Sequence, residues 1–189
     1  AFCREHAIPH EICGKLVLAA DESEVPRLRE LARRGAANGL DGLEELDPVG
    51  YRRIEPHAGG VLALRVPQEG IVDYRAVCDT LERLIRDRGG EVLKGARVRR
   101  IEATRARPVV EWDSGTREAD AVVNCAGLHS DRVARGSGAR IDTRIVPFRG
   151  EYYTLRGDRA GLVKHLIYPT PDPRFPFLGV HFTRLIHGG

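Results

Sequence analysis

The sequence predicts a mixed α/β (α+β) chain in which part of a Rossmann-like lobe is interleaved with a lobe of antiparallel sheet. Three observations predict it. Residues 119–127 read Ala-Asp-Ala-Val-Val-Asn-Cys-Ala-Gly, a near-continuous apolar run of the kind buried on both faces of a parallel sheet. Ahead of it, Val77, Leu81, Leu84 and Ile85 recur at helical spacing after Asp73. The last third changes character: Ile145–Leu155, Leu166–Tyr168 and Phe177–Thr183 are β-like and separated by Pro-rich or Gly-rich turns.

From the N-terminus, Lys15–Ala19 reads as a short strand. Ser23 offers an N-cap and Pro26 a first turn for a helix carrying Val25, Leu28, Leu31 and Ala32 on one face, which Gly35 can close. Leu43–Pro56 reads as a short helical connector and Val61–Val66 as a strand. Asp73 caps the strongest helix, which Gly89-Gly90 ends because an αL cap favours a residue without Cβ. Glu91–Leu93, Ala96–Ile101 and Val109–Trp112 read as strands, the last turning at Asp113-Ser114-Gly115. A helix follows near Ser130. Residues 70–140 are expected to supply mainly the Rossmann-like lobe, and 15–69 with 141–189 mainly the sheet lobe.

Composition narrows the function. Apolar residues make up 42% and charged residues 30% of the 189, an ordinary globular balance. The net charge of +3 comes from Arg scattered among Asp and Glu. A nucleic-acid groove needs a basic stripe with interleaved aromatics, so no nucleic-acid partner is expected. Cys3, Cys13, Cys78 and Cys125 form no C-x-x-C pair, so no metal site is expected either. Reduced thiols and the lack of any apolar run near ~18 residues point to a cytoplasmic chain, with attachment to the inner-membrane surface as the alternative. The chain opens on Ala1-Phe2-Cys3, contains no Met, and closes on Leu185-Ile186-His187-Gly188-Gly189. An internal fragment of a longer protein is the simplest account.

The chemistry centres on Asn124-Cys125-Ala126-Gly127-Leu128, where the predicted buried strand gives way to a helix. Ala126 and Gly127 have almost no side chain, so a flat or anionic ligand can approach the backbone. Ligands of open α/β sheets sit at the carboxyl ends of strands, where a helix start adds N–H donors.

The order of motifs adds a resemblance. Gly70-Ile71-Val72-Asp73 at a helix start, Gly89-Gly90-Glu91-Val92, Val98 on a strand and Asn124–Gly127 together resemble the middle of the D-amino-acid-oxidase-like flavoproteins. Within that superfamily, Tyr168–Arg184, Cys125–Asp131 and Pro147–Tyr153 look like segments of the L-2-hydroxyglutarate dehydrogenase/oxidase family. The resemblance covers nearly the whole chain. It implies a partial FAD-binding lobe joined to a substrate lobe, FAD as cofactor, a small dicarboxylate as substrate, and oxygen or a quinone as electron acceptor. Val98 would contact adenine, and Asn124, Cys125, Ala126, Gly127 and Leu128 would border the FAD phosphates and ribose. Arg149 and His181 would be catalytic residues on the substrate lobe's sheet, with Arg184, Tyr152 and His57 as substrate-binding candidates. A His suits a base near neutral pH, and Arg forks suit carboxylates.

The chain departs from that pattern in two respects, one being that the family's return to the FAD lobe after the substrate lobe is not among these residues. The family's G-x-G-x-x-G turn is absent; Gly136-Ser137-Gly138 follows helix-like sequence and has Ile141 at the third glycine position. Most of the cofactor's clamp therefore falls outside these residues. Two competing readings remain: the same fold acting on an amino acid or glycerol 3-phosphate, and a truncated, non-catalytic domain.

Overall fold

The computed structural model describes residues 1–103, 107–174, 177 and 179–187. Phe175, Pro176 and Leu178 of the Tyr168–Arg184 segment lie outside the described residues. In chain order the elements are α1 (Phe2–Glu5), β1 (His10–Glu11), β2 (Lys15–Ala19), α2 (Val25–Ala37), β3 (Glu44–Leu46), α3 (Pro48–Ile54), β4 (Leu62–Val66), β5 (Ile71–Val72), α4 (Tyr74–Asp87), β6 (Val98–Glu102), β7 (Val109–Trp112), β8 (Gly115–Glu118), α5 (Ser130–Gly136) and β9 (Leu166–Pro169). The class is mixed α/β with several sheets. The chain forms two compact units, one of residues 1–84 and 153–189, the other of residues 85–152.

The first unit is built on a sheet ordered β3-β4-β2-β9. Strand β2 pairs antiparallel with β4, Val17 opposite Leu64, and parallel with β9, Val17 opposite Tyr168. Successive side chains of a strand point to opposite faces. Val17 and Ala19 therefore join Val25 and Leu28 of α2 in one core cluster. Leu16 and Leu18 join Tyr51 of α3 and Ile167 of β9 in the other. A sheet covered by a helix on each face explains why Lys-Leu-Val-Leu-Ala is apolar without alternation.

The expected helical connector is instead strand β3 followed by α3. Glu44–Leu46 finds a partner in β4, and Asp47 caps the helix behind it by accepting from Gly50 N at 2.7 Å, with Pro48 in the first turn. Helix α2 differs from expectation at both ends. Glu24 is its cap residue, because Ser23 spends its backbone N–H and hydroxyl on Asp21. The helix also runs through Gly35 to Ala37. Gly35 serves close packing there: a Cβ would sit 3.0 Å from Leu43 Cδ1.

Helix α4 is capped as predicted, Asp73 Oδ1 accepting from Arg75 N and Ala76 N, and Gly90 N closes its end on Ile85 O at 2.9 Å. Its apolar face is not buried: Leu81 and Ile85 are each 45% exposed.

The second unit holds the antiparallel meander β6-β7-β8, with α5 packed against β6. Two predicted strands are absent from it. Glu91–Leu93 and the apolar run 119–126 have extended or turn backbone but form no ladder among the described residues. A strand exists only when a neighbour satisfies its N–H and C=O groups; Ala119 N donates to Pro108 O, and among the described residues no ladder continues along the run. Val123 is consequently 83% exposed. The β-prone Ile145–Leu155 stretch likewise forms no ladder among the described residues. The described residues of Phe177–Thr183 contribute a single bridge, Phe182 to Ile167 of β9.

Candidate functional site

The turn after residue 123 is organised by Asn124. Its Oδ1 accepts from Ala126 N at 3.2 Å and its Nδ2 donates to Ser130 O at 2.8 Å. Both ends of the amide are thus engaged in shaping the turn. Gly127 takes φ +54°, and a Cβ placed there would meet open space. Cys125 is exposed and Leu128 is 65% exposed. Val98, 41% exposed at the start of β6, lines the same cavity of about 600 Å³ as Asn124, Cys125 and Ala126. Gly127 and Leu128 lie just past that lining. All of these residues belong to the second unit.

Sequence reasoning missed part of this wall. His129, Arg132, Val133 and Gly136 also line the cavity. They recur at i, i+3, i+4 and i+7, one face of a helix. Given the predicted helix start at Ser130, that spacing was the available signal.

In the first unit, His181 lies beside β9. The backbone bridge between Phe182 and Ile167, with N···O distances of 2.9 and 3.1 Å, fixes its neighbour. The imidazole stacks on the Tyr168 ring, centroids 4.6 Å apart and planes 23° apart. Its Nδ1 lies 2.9 Å from Gly179 O. A carbonyl oxygen only accepts, so Nδ1 carries the hydrogen of that bond, and the neutral ring keeps its lone pair on Nε2. That is the tautomer a general base needs.

The remaining predicted residues lie in varied surroundings. Arg184 donates from Nη1 to Glu11 Oε1 at 2.7 Å and to Lys164 O at 3.0 Å. Beside it, burial pushes the Cys13 thiol above its ordinary value, against the opposing pull of Arg184. His57 is exposed in the turn between α3 and β4. Arg149 and Tyr152 are exposed on irregular backbone of the second unit, Tyr152 by 81%. They were expected on a sheet, which this stretch does not form.

The whole chain, residues 1–189, matches the family described as FAD dependent oxidoreductase. The chain belongs to this family. Among relatives, the L-2-hydroxyglutarate dehydrogenase of Indibacter alkaliphilus is 43% identical over 189 residues, covering 100% of this chain and 47% of the relative. The human mitochondrial L-2-hydroxyglutarate dehydrogenase is 40% identical over 199 residues, 99% of this chain and 43% of the relative. That of Escherichia coli K12 is 39% identical over 189 residues, 100% of this chain and 44% of the relative. The chain thus spans a little under half the length of the curated relatives it matches. Among solved structures, L-proline dehydrogenase from P. horikoshii superposes with a TM-score of 0.72 at 16% identity, over 89% of this chain and 46% of that one. Glycine oxidase from Geobacillus kaustophilus gives 0.69 at 18% identity, over 89% and 46%. These two show the fold alone.

The residues at the turn can be tested against the family's cofactor. The cavity lining includes the apolar Val98 and Val133, the small Ala126 and the cationic Arg97 and Arg132, residue types that suit a flat ring carrying phosphates. No G-x-G-x-x-G lies in the chain to cradle a pyrophosphate. No helix among the described residues is long and apolar enough to cross a membrane.

Proposed function

We propose that the enzyme containing this chain oxidises L-2-hydroxyglutarate to 2-oxoglutarate with FAD. The observation that carries this reading is 43% identity to an L-2-hydroxyglutarate dehydrogenase sustained over the whole chain. Val98 and residues Asn124 to Leu128 border the adenosine and phosphate part of the cofactor. Residues 70–140 serve mainly the FAD lobe, and 15–69 with 141–189 mainly the substrate lobe.

Held on its adenosine side by Val98 and Asn124 to Leu128, FAD would supply the acceptor for the hydride from the substrate Cα. His181 takes the hydroxyl proton on Nε2, the nitrogen left basic by the Nδ1–H bond to Gly179. Arg149 and Arg184 offer forked donors to the two substrate carboxylates, and Tyr152 and His57 are further contacts. Arg184 is also paired with Glu11 at 2.7 Å. The electron acceptor is oxygen or a quinone, and the location is cytoplasmic or at the face of the inner membrane.

The test uses the full-length, FAD-loaded enzyme mixed anaerobically with L-2-hydroxyglutarate. Flavin absorbance bleaches, and His181→Ala slows bleaching by about two orders of magnitude or more. Bleaching by amino acids or glycerol 3-phosphate alone would overturn the substrate. An unchanged rate in His181→Ala would remove His181 from the reaction.

A further inference from the structure

The segment bearing His181 runs beside one edge of the sheet, and several independent contacts set its ring there. Gly179 packs on Pro169 so closely that a Cβ would fall 2.8 Å from the Pro169 ring. The Phe182 bridge to Ile167 fixes the strand-like register. Between these two anchors the imidazole lies against Tyr168. Tyr168 is itself held: the Lys15 ammonium sits 4.8 Å from its ring centroid and is tied by Glu69 Oε1 at 2.8 Å. Lys15 stands at the start of β2, directly opposite Leu166 of β9. The platform is therefore part of the central sheet, whereas the described residues of the segment it supports add only one bridge to that sheet.

We propose that Tyr168 is a positioning residue for the oxidation, a rigid platform that fixes the plane of the His181 imidazole. With the plane fixed, Nδ1 stays on the Gly179 carbonyl and Nε2 stays basic. This rests on the reading of His181 as the base. A stacked ring pair contributes on the order of a tenfold preference for one ring orientation. An imidazole free to rotate about Cβ–Cγ would swing Nδ1 off the carbonyl, and without that bond the tautomer with its hydrogen on Nε2 would be populated. It would then present a hydrogen where a lone pair is needed. Lys15 and Glu69 act one step further out, by restraining the platform through a cation–π contact.

The test compares Tyr168→Leu, Tyr168→Phe and His181→Ala in the full-length, FAD-loaded enzyme. Two quantities are read: the rate of flavin reduction by L-2-hydroxyglutarate at saturation, and the ring ¹⁵N shifts of His181, which distinguish the tautomers. Wild type shows a protonated Nδ1 and an unprotonated Nε2. Tyr168→Leu shows averaged ring shifts and reduces about tenfold more slowly, with substrate affinity within about twofold of wild type. Tyr168→Phe keeps the ring and matches wild type in both readouts. If Tyr168→Leu keeps the wild-type shifts and rate while His181→Ala is slow, the platform is wrong and the base stands. If Tyr168→Phe is as impaired as Tyr168→Leu, the hydroxyl rather than the ring is at work and the proposal fails. If His181→Ala reduces at the wild-type rate, the base reading fails, and the shifts alone then decide whether Tyr168 holds the ring.

Discussion

Two apolar runs of similar composition meet opposite fates in this chain. Lys15–Ala19 is paired on both edges and covered on both faces, and its four apolar residues are at most 8% exposed. Residues 121–126 are as apolar, yet they join no ladder among the described residues, and Val123 is 83% exposed. The difference does not lie in the runs themselves. Strand β2 finds β4 within the same chain some fifty residues on and β9 after some 150. Each partner satisfies a row of backbone groups and brings a layer of side chains. Apolar character makes a strand possible; partners make it one. The same contrast appears in the cores: of the buried hydrophobic residues described, only Ile101 belongs to the unit of residues 85–152.

The largest expected effect falls where a single carboxylate ties the sheet of the first unit together. Glu55 is fully buried at the end of α3. Its Oε1 accepts from Lys164 N at 2.7 Å, from His165 N at 2.6 Å, and lies 2.8 Å from His165 Nδ1. The bonds span 110 residues and pin the entry to β9. Glu55→Ala leaves two part-buried backbone donors and the part-exposed His165 imidazole without their acceptor, each at about 1 kcal/mol. The variant should lose about 3 kcal/mol in urea unfolding, with exchange of the β9 amides rising first. Glu55→Gln keeps an acceptor oxygen and should recover most of the loss. A loss below about 1 kcal/mol in Glu55→Ala would mean that β9 is held by its ladder alone.

The next effect tests the two runs directly. Leu16→Ala opens a cavity beneath Tyr51 and should cost about 3 kcal/mol. Val123→Ala in the same protein should change stability by less than about 0.5 kcal/mol, as an exposed residue does. Comparable losses in both would show that the 121–126 run is covered in solution and would remove the contrast drawn here.

These particulars show how far the sequence could be read. Strand β7 and the turn after it, strands β2, β4 and β9, and the capping of α4 by Asp73 were legible, because turn chemistry and local pattern decide them; the return strand β8 was not. The Asn124–Leu128 turn and the helix after it were legible for the same reason. Glu44–Leu46 was not, since three residues carry no period and become a strand only through β4. The 121–126 run was over-read, because an apolar pattern predicts burial without supplying the partner. The Tyr168 platform and the Glu55 tie were invisible: both join residues far apart in sequence through contacts that no spacing encodes. His181 and Arg184 were singled out by residue type and family likeness, whereas the Gly179 carbonyl that sets the His181 tautomer emerges only from the backbone path.

The smallest expected effect concerns the second unit's counterpart of Glu55. Asp131 is buried at the start of α5 and accepts from Ile145 N at 3.3 Å and from Arg135 Nη1 at 3.0 Å. Burial alone would push its carboxyl up, but the bonds from Ile145 and Arg135 outweigh it and hold the group below its ordinary value. A depressed carboxylate contributes stability that is fully present above its unfolded value, about 3.9, and is lost as pH falls through the lower folded value. Asp131→Asn should therefore weaken protection of the Ile145 amide at neutral pH, by less than Glu55→Ala weakens β9, since its bonds are fewer and longer. The deficit should hold from about pH 7 to about pH 5 and shrink below about pH 4, as the wild-type carboxyl takes up its proton. A deficit that grew on acidification would mean that the protonated form anchors Ile145. The tie would then be a neutral hydrogen bond, and the parallel with Glu55 would fail.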